Sequence, residues 1–142
     1  MKLMTYRLGA LLLTLLALPA PLSVAAAHAA PVAVPPPHDA AQISTFLIDF
    51  YGHHGPSEYD RDNRVSQVLK DKQKGIADAD VLLCAQNEPQ DIAIGPVTVA
   101  EAAGIGWATV TTHWDSRTTD TFTAYVRLDS QPIRLDDVIC AG

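Results

Sequence analysis

The chain has 142 residues, of which 48% are hydrophobic and 18% charged, and its formal net charge is −6. This length predicts one main domain, and the acidic balance argues against nucleic acids and anionic lipid surfaces as partners. The same charge favours a basic partner, although the simpler interpretation is that it only keeps the protein soluble.

The first residues have the order of parts found in secretory signal peptides. Lys2 and Arg7 supply positive charge, Leu8–Leu18 form a short apolar run ended by Pro19, and AHA at 27–29 offers a cleavage site. The apolar run is too short for a transmembrane helix, which needs about 20 residues. We therefore predict a signal peptide at 1–29, a location in the periplasm or the medium, and no membrane anchor after cleavage.

The predicted mature chain begins with a tether. Residues 30–38 include PVAVPPP, which predicts an extended proline-rich segment. Residues 39–142 are enough for a single α+β domain. Without Lys2 and Arg7, 8 basic residues remain against 16 acidic ones, so the mature net charge becomes −8.

Cys84 and Cys140 are the two cysteines of the chain. An even pair in an oxidising compartment predicts a disulfide, typically worth about 2–4 kcal/mol. A reactive thiol is the alternative, but neither residue lies in a C-x-x-C or a cysteine-protease motif.

The first part of the domain predicts two helices. The first runs from Asp39 as its cap to His54, before Gly55-Pro56, with apolar residues at helical spacing: Ile43, Phe46, Leu47, Phe50 and Tyr51. The second, weaker helix runs from its cap Asp62 to Lys74 before Gly75, with inward positions Val65, Val68 and Leu69.

The second part of the domain predicts strands. VLLCAQ is a short buried run, and PVTVAEA, after Gly95, is a candidate strand. GWATVTTHW and TFTAYVRLD alternate in polarity, and IRLDDVIC leads to Cys140. Strands joined by turns predict an antiparallel meander, and helices before strands predict an α+β fold with the helices on one face of a curved sheet.

Three segments of the chain resemble a family of small exported bacterial proteins described as a domain of unknown function. They are F-x-x-x-FY in the first helix, DADVLLCAQNEP ending at Pro89, and LDDVIC ending at Cys140. The resemblance spans most of residues 43–140. It implies a cone-shaped fold like that of nuclear transport factor or cystatin, and a Cys84–Cys140 link. It implies no activity. Pro132-Ile133 stands where such proteins often carry an aromatic residue.

The stretch HHGPSEYDRD, residues 53–62, has closely spaced histidine and acidic side chains of the kind that bind metals or transfer protons. Adjacent helical residues point about 100° apart, so His53 and His54 are poorly placed to share one metal ion. The zinc motif H-E-x-x-H is absent, and Arg64 replaces a ligand that a calcium loop needs. We predict no metal and no cofactor here, and a helix end instead.

A candidate ligand-facing set lies on the alternating strands: Trp107, Thr111, His113, Tyr125 and Arg127. In a cone-shaped fold one sheet face curves around a cavity. His113 with Asp49 or Asp137 nearby would then be able to move protons. A threonine-rich face is equally typical of a sheet surface in contact with solvent.

These observations lead to three functional hypotheses. The first is a non-enzymatic exported module that binds a periplasmic protein, of inhibitor or immunity type, with no assigned catalytic residues. The second is a small-molecule binder that uses the cone, and the third is a hydrolase or isomerase that uses His113 and a carboxylate. No nucleotide-binding or G-x-S-x-G motif is present in the sequence.

Overall fold

Helix α1 (Ala40–Tyr51) opens the regular structure of this computed structural model, which describes residues 33–141. Asp39 caps it as predicted: its carboxylate accepts a hydrogen bond from the Gln42 N–H at 2.8 Å, and the Gln42 side chain accepts one from the Asp39 N–H at 3.0 Å. The helix ends at Gly52, whose φ of 51° is a left-handed value that suits glycine. The predicted end at Gly55-Pro56 is therefore too late.

The predicted second helix is wrong as a single element, because it is two helices, α2 (Glu58–Asn63) and α3 (Gln67–Lys74). Between them the chain pairs with a strand: the Ser66 N–H donates to Leu135 O at 2.8 Å, and the Leu135 N–H donates to Arg64 O at 2.9 Å. Ser66 caps α3, so Asp62 is not the cap and lies within α2.

The burial of the second segment also differs from the prediction at one position. Val65 and Leu69 are buried, as predicted, but Val68 is 75% exposed. Neighbouring residues of α3 point about 100° apart, so Leu69 is buried while Val68 faces solvent.

The sheet has five antiparallel strands: β1 (Asp91–Ile94), β2 (Thr98–Ala100), β3 (Ile105–His113), β4 (Thr119–Arg127) and β5 (Leu135–Cys140). Its order is β1-β3-β4-β5, and β2 pairs with the first part of β3. A turn of 3-10 helix, Glu101–Ala103, separates β2 from β3. The α+β class and the meander of β3, β4 and β5 are confirmed, whereas β1 was not predicted.

The core lies between α1 and one face of the sheet. The five apolar residues predicted for the stripe of α1 are buried, as are the alternate residues of β3 and β4: Ala108, Val110, Thr112, Phe122, Ala124 and Val126. Gly106 leaves room for the Ile43 side chain of α1, because a Cβ atom there would lie 2.5 Å from the Ile43 Cδ1 atom. The helical side of the sheet is therefore filled by side chains.

Cys84 and Cys140 form the predicted disulfide, with Cα atoms 5.5 Å apart. The bond ties the turn at residues 80–85 to the end of β5. A disulfide indicates a non-reducing, extracellular-type environment. Within residues 33–141, no helix has the length and apolar character needed to cross a bilayer.

The predicted signal peptide and the start of the tether, residues 30–32, lie outside the described residues. The rest of the tether, residues 33–38, contains no helix or strand. His38 joins its end to the sheet domain: its N–H donates to Leu128 O at 2.8 Å, and its Nε2 atom lies 2.6 Å from Ser130 O.

Candidate functional site

The five candidate residues lie together on one face of the sheet. Trp107, Thr111 and His113 alternate with the buried residues of β3, and Tyr125 and Arg127 alternate with those of β4. Successive side chains of a strand point to opposite faces, so all five point away from the helices. We call this surface the open face.

An aromatic pair lies on the open face, one row in from the end of the β3–β4 hairpin that carries Ile105 and Arg127. Trp107 and Tyr125 are cross-strand partners, with ring centroids 6.2 Å apart and an angle of 30° between the rings. Both side chains are half-buried. Ile139, which is 52% exposed, is in register with Thr123 and so points to the same side. The result is an apolar centre in a surface that is otherwise rich in threonine.

Ion pairs lie around this apolar centre. The Arg127 guanidinium donates from Nε and Nη2 to both Asp129 oxygens, at 3.0 Å and 2.9 Å, and holds the pKa of Asp129 below its ordinary value. Asp137 lies 3.0 Å from the Lys72 Nζ atom. Each of these two pairs is internally neutral, and the apolar centre remains available for contact.

His113 does not meet the carboxylates proposed for it. Asp137 is in register with Tyr125, six residues along the sheet from the row of His113, or about 20 Å at the rise of a strand. Asp49 lies on α1, on the other side of the sheet, and pairs with Arg64 at 2.7 Å. The structure therefore does not support a hydrolase or isomerase built on those pairs.

The carboxylate that does lie beside His113 belongs to the unpredicted strand. Asp91 is the β1 partner of His113, and its Oδ1 atom lies 2.7 Å from His53 Nδ1. The hydrogen bond with His53, and a second from the Ile92 N–H, lower the pKa of Asp91. Sequence reasoning missed this residue, because it falls in a segment, NEPQD, that reads as a turn.

The two adjacent histidines have separate partners. His53 contacts Asp91, whereas the His54 Nδ1 atom lies 3.1 Å from Pro89 O. Both follow the end of α1, and their contacts hold Pro89 and the first residue of β1 beside that helix end. In the described part of the chain, no group of three or more His, Cys, Asp or Glu side chains is arranged to hold a metal ion.

A charged cluster borders a shallow groove along α1, with a volume of about 570 Å³. The Arg64 guanidinium lies 4.9 Å from the centre of the Phe46 ring and pairs with Asp60 at 2.9 Å as well as with Asp49. Burial raises the pKa of Asp60, but hydrogen bonds from Ser57 and Arg64 outweigh this effect and leave the pKa below its ordinary value. This cluster joins α1 to α2 and serves the fold.

No family model, curated protein or solved structure matches the chain. The resemblance to exported proteins of unknown function therefore stays a prediction.

Proposed function

We propose that this chain is an exported, non-enzymatic module that binds a protein partner through the open face. The observation that carries the proposal is the Trp107–Tyr125 pair, with Ile139 beside it, on a sheet face that the helices leave uncovered. Tryptophan and tyrosine are enriched among the residues that dominate the energy of protein interfaces. An apolar centre with a polar rim is also the usual anatomy of such an interface.

The partner on this proposal is a basic protein, which the module binds as an inhibitor or immunity protein would. The described residues include all 16 acidic residues of the chain and 8 basic ones. Acidic charge speeds the approach of a basic surface and has less influence once the two surfaces are in contact. The aromatic centre would supply most of the affinity, and the net charge most of the association rate.

A capture experiment with matched variants tests the proposal. The oxidised protein is immobilised, and basic exported proteins from the same cell are passed over it. Trp107→Ala and Tyr125→Ala should each weaken the purified complex by at least tenfold, since interface aromatics often contribute more than about 1.4 kcal/mol. Tyr59→Ala is the control, because Tyr59 is 69% exposed on α2 and lies away from the open face.

A change in ionic strength distinguishes the effect of the net charge on association from the contribution of the aromatic centre to affinity. Added salt should slow association and leave dissociation nearly unchanged, because exposed charges are screened beyond about 8–10 Å. A partner retained equally by Trp107→Ala, Tyr125→Ala and the control variant would show that binding uses another surface, and the proposal would fail.

A further inference from the structure

The tether contains an exposed stretch, residues 34–37, that we call the proline segment. Its sequence is Val-Pro-Pro-Pro, it forms no helix or strand, and all four residues are exposed, Val34 by 88%. The ring of proline fixes φ at about −65°, so consecutive prolines adopt the extended polyproline II conformation before any contact is made. Such a segment loses little conformational entropy when it binds to a protein surface.

The aromatic pair of the open face has a geometry that suits proline. The rings of Trp107 and Tyr125 lie beside each other, with centroids 6.2 Å apart and an angle of 30° between them. One pyrrolidine ring laid across the pair would therefore contact both. Surfaces lined by aromatic side chains are a recurring site for polyproline II segments.

Hydrogen bonding around the aromatic pair is complementary to the proline segment as well. Proline has no N–H, and a polyproline II segment forms no internal hydrogen bonds, so its carbonyl groups are free to accept. Thr98 is the β2 partner of Trp107, and Thr109 and Thr123 are partners in the next row of the open face. Their hydroxyl groups can donate to those carbonyls. The segment brings no charge to an acidic protein and no N–H of its three prolines that would need a partner.

The root of the proline segment lies at the same end of the sheet as the aromatic pair. The N–H of His38, the next residue, donates to Leu128 O at 2.8 Å, and the His38 Nε2 atom lies 2.6 Å from Ser130 O. Leu128 directly follows β4, whose last residue, Arg127, lies one row from Tyr125. Two copies that meet at this end can exchange their segments reciprocally, and the second contact then forms at a high effective concentration.

We propose that the open face binds the proline segment of a second copy of this chain. The segment is exposed in this structure, so its own open face does not hold it, and a second copy is the occupant. The inference rests on the proposed function, because it takes the open face to be a binding surface. It adds regulation to that function, since a protein partner would have to displace the second copy.

A synthetic peptide of residues 31–38 tests the contact directly. The host is the oxidised Pro35→Ala/Pro36→Ala/Pro37→Ala variant, in which the chain's own segment no longer competes. The peptide should cause a saturable shift of the Trp107 indole N–H resonance, which is assigned by its loss in Trp107→Phe. The same peptide with alanine at positions 35–37 should bind at least tenfold more weakly, because it lacks the rings and the preformed conformation. A Trp107 resonance that does not shift would overturn the proposal.

Two complementary variants distinguish a second copy from the chain's own segment. Trp107→Ala retains the proline segment without the aromatic pair, and the triple proline variant retains the pair without the segment. In sedimentation equilibrium the wild type should self-associate, each variant alone should do so at least tenfold more weakly, and their equimolar mixture should form a heterodimer. Tyr59→Ala is the control and should behave as the wild type, because Tyr59 is 69% exposed on α2. A monomeric wild type, or a mixture that stays monomeric, would contradict the proposal.

Added salt should affect self-association and partner binding in opposite directions. Two copies repel each other, because the described residues include 16 acidic and 8 basic side chains, and salt screens this repulsion. Self-association should therefore become tighter as salt is added, and weakening would count against the proposal. A protein partner that depends on Trp107, together with a peptide that does not bind, would remove this inference alone. Peptide binding without any Trp107-dependent partner would remove the proposed function alone.

Discussion

Removal of the Cys84–Cys140 bond should cost this domain about 4 kcal/mol. The two residues are 56 positions apart, and the chain-entropy relation for a closed loop of that length gives about 14 cal/mol/K, or about 4 kcal/mol at 25 °C. A domain of this size has a total unfolding free energy of about 5–15 kcal/mol. The double variant Cys84→Ala/Cys140→Ala should therefore unfold at a much lower urea concentration than the oxidised protein, as followed by tryptophan fluorescence.

The backbone at Cys84 provides an internal control for this experiment. Its φ of 53° is left-handed, and the Ala85 N–H donates to Asp80 O in the pattern of a Schellman motif, where glycine is the usual residue. Cys84→Gly/Cys140→Ala should thus be more stable than the alanine pair by about 0.5–1 kcal/mol. A loss below about 1 kcal/mol in both pairs, or equal stability of the two, would refute this reasoning.

Three other predictions concern the packing of α1 and α2. Arg64→Ala should lower the unfolding free energy by about 2 kcal/mol, because it removes two charged hydrogen bonds and a cation–π contact. Urea unfolding measures this loss, and a value below about 0.5 kcal/mol would contradict the prediction. Asp60→Asn should destabilise at pH 7 and less as the pH falls. Because the pKa of Asp60 is lower in the folded protein than its unfolded value of about 3.9, its carboxylate stabilises the fold above that pH, and this stability is lost as the pH falls through the folded pKa. A difference in unfolding free energy between wild type and variant that stays constant from pH 7 to 2 would count against this prediction. Gly106→Ala should lower the unfolding free energy by about 1–3 kcal/mol, because its methyl group would clash with Ile43. In a double-mutant cycle, Ile43→Val should cost less stability in the Gly106→Ala background than alone, and simple additivity of the two effects would exclude the clash.

Much of this fold follows from the periodicity of the sequence. The stripe of α1 and the alternation of β3 and β4 are strong signals, because each of these elements buries one regular face. The break between α2 and α3 gives no such signal. It depends on pairing with Leu135, a residue far along the chain, so local propensity favours one continuous helix there.

The candidate site was predictable to a similar degree. Alternation places Trp107, Thr111 and His113 on one face of β3, and it places Tyr125 and Arg127 on one face of β4. The register between the two strands makes these the same face. Alternation does not say which face the helices cover, because both faces of β3 contain threonine and apolar residues. Nor does alternation show that residues 84–87 lie beside Trp114, because the disulfide brings them there from another part of the chain.

The edges of the sheet bear on how a protein partner would dock. The β5 edge is covered, because Ser66 and Arg64 pair with Leu135, and the Lys72 Nζ atom donates to Val138 O at 2.7 Å. At the other edge, β1 has four residues and β2 three, with Gly95-Pro96 between them. Short edge strands interrupted by proline resist the addition of another strand. A partner is therefore more readily bound by side chains of the open face than by backbone pairing, and its affinity should depend on Trp107 and Tyr125.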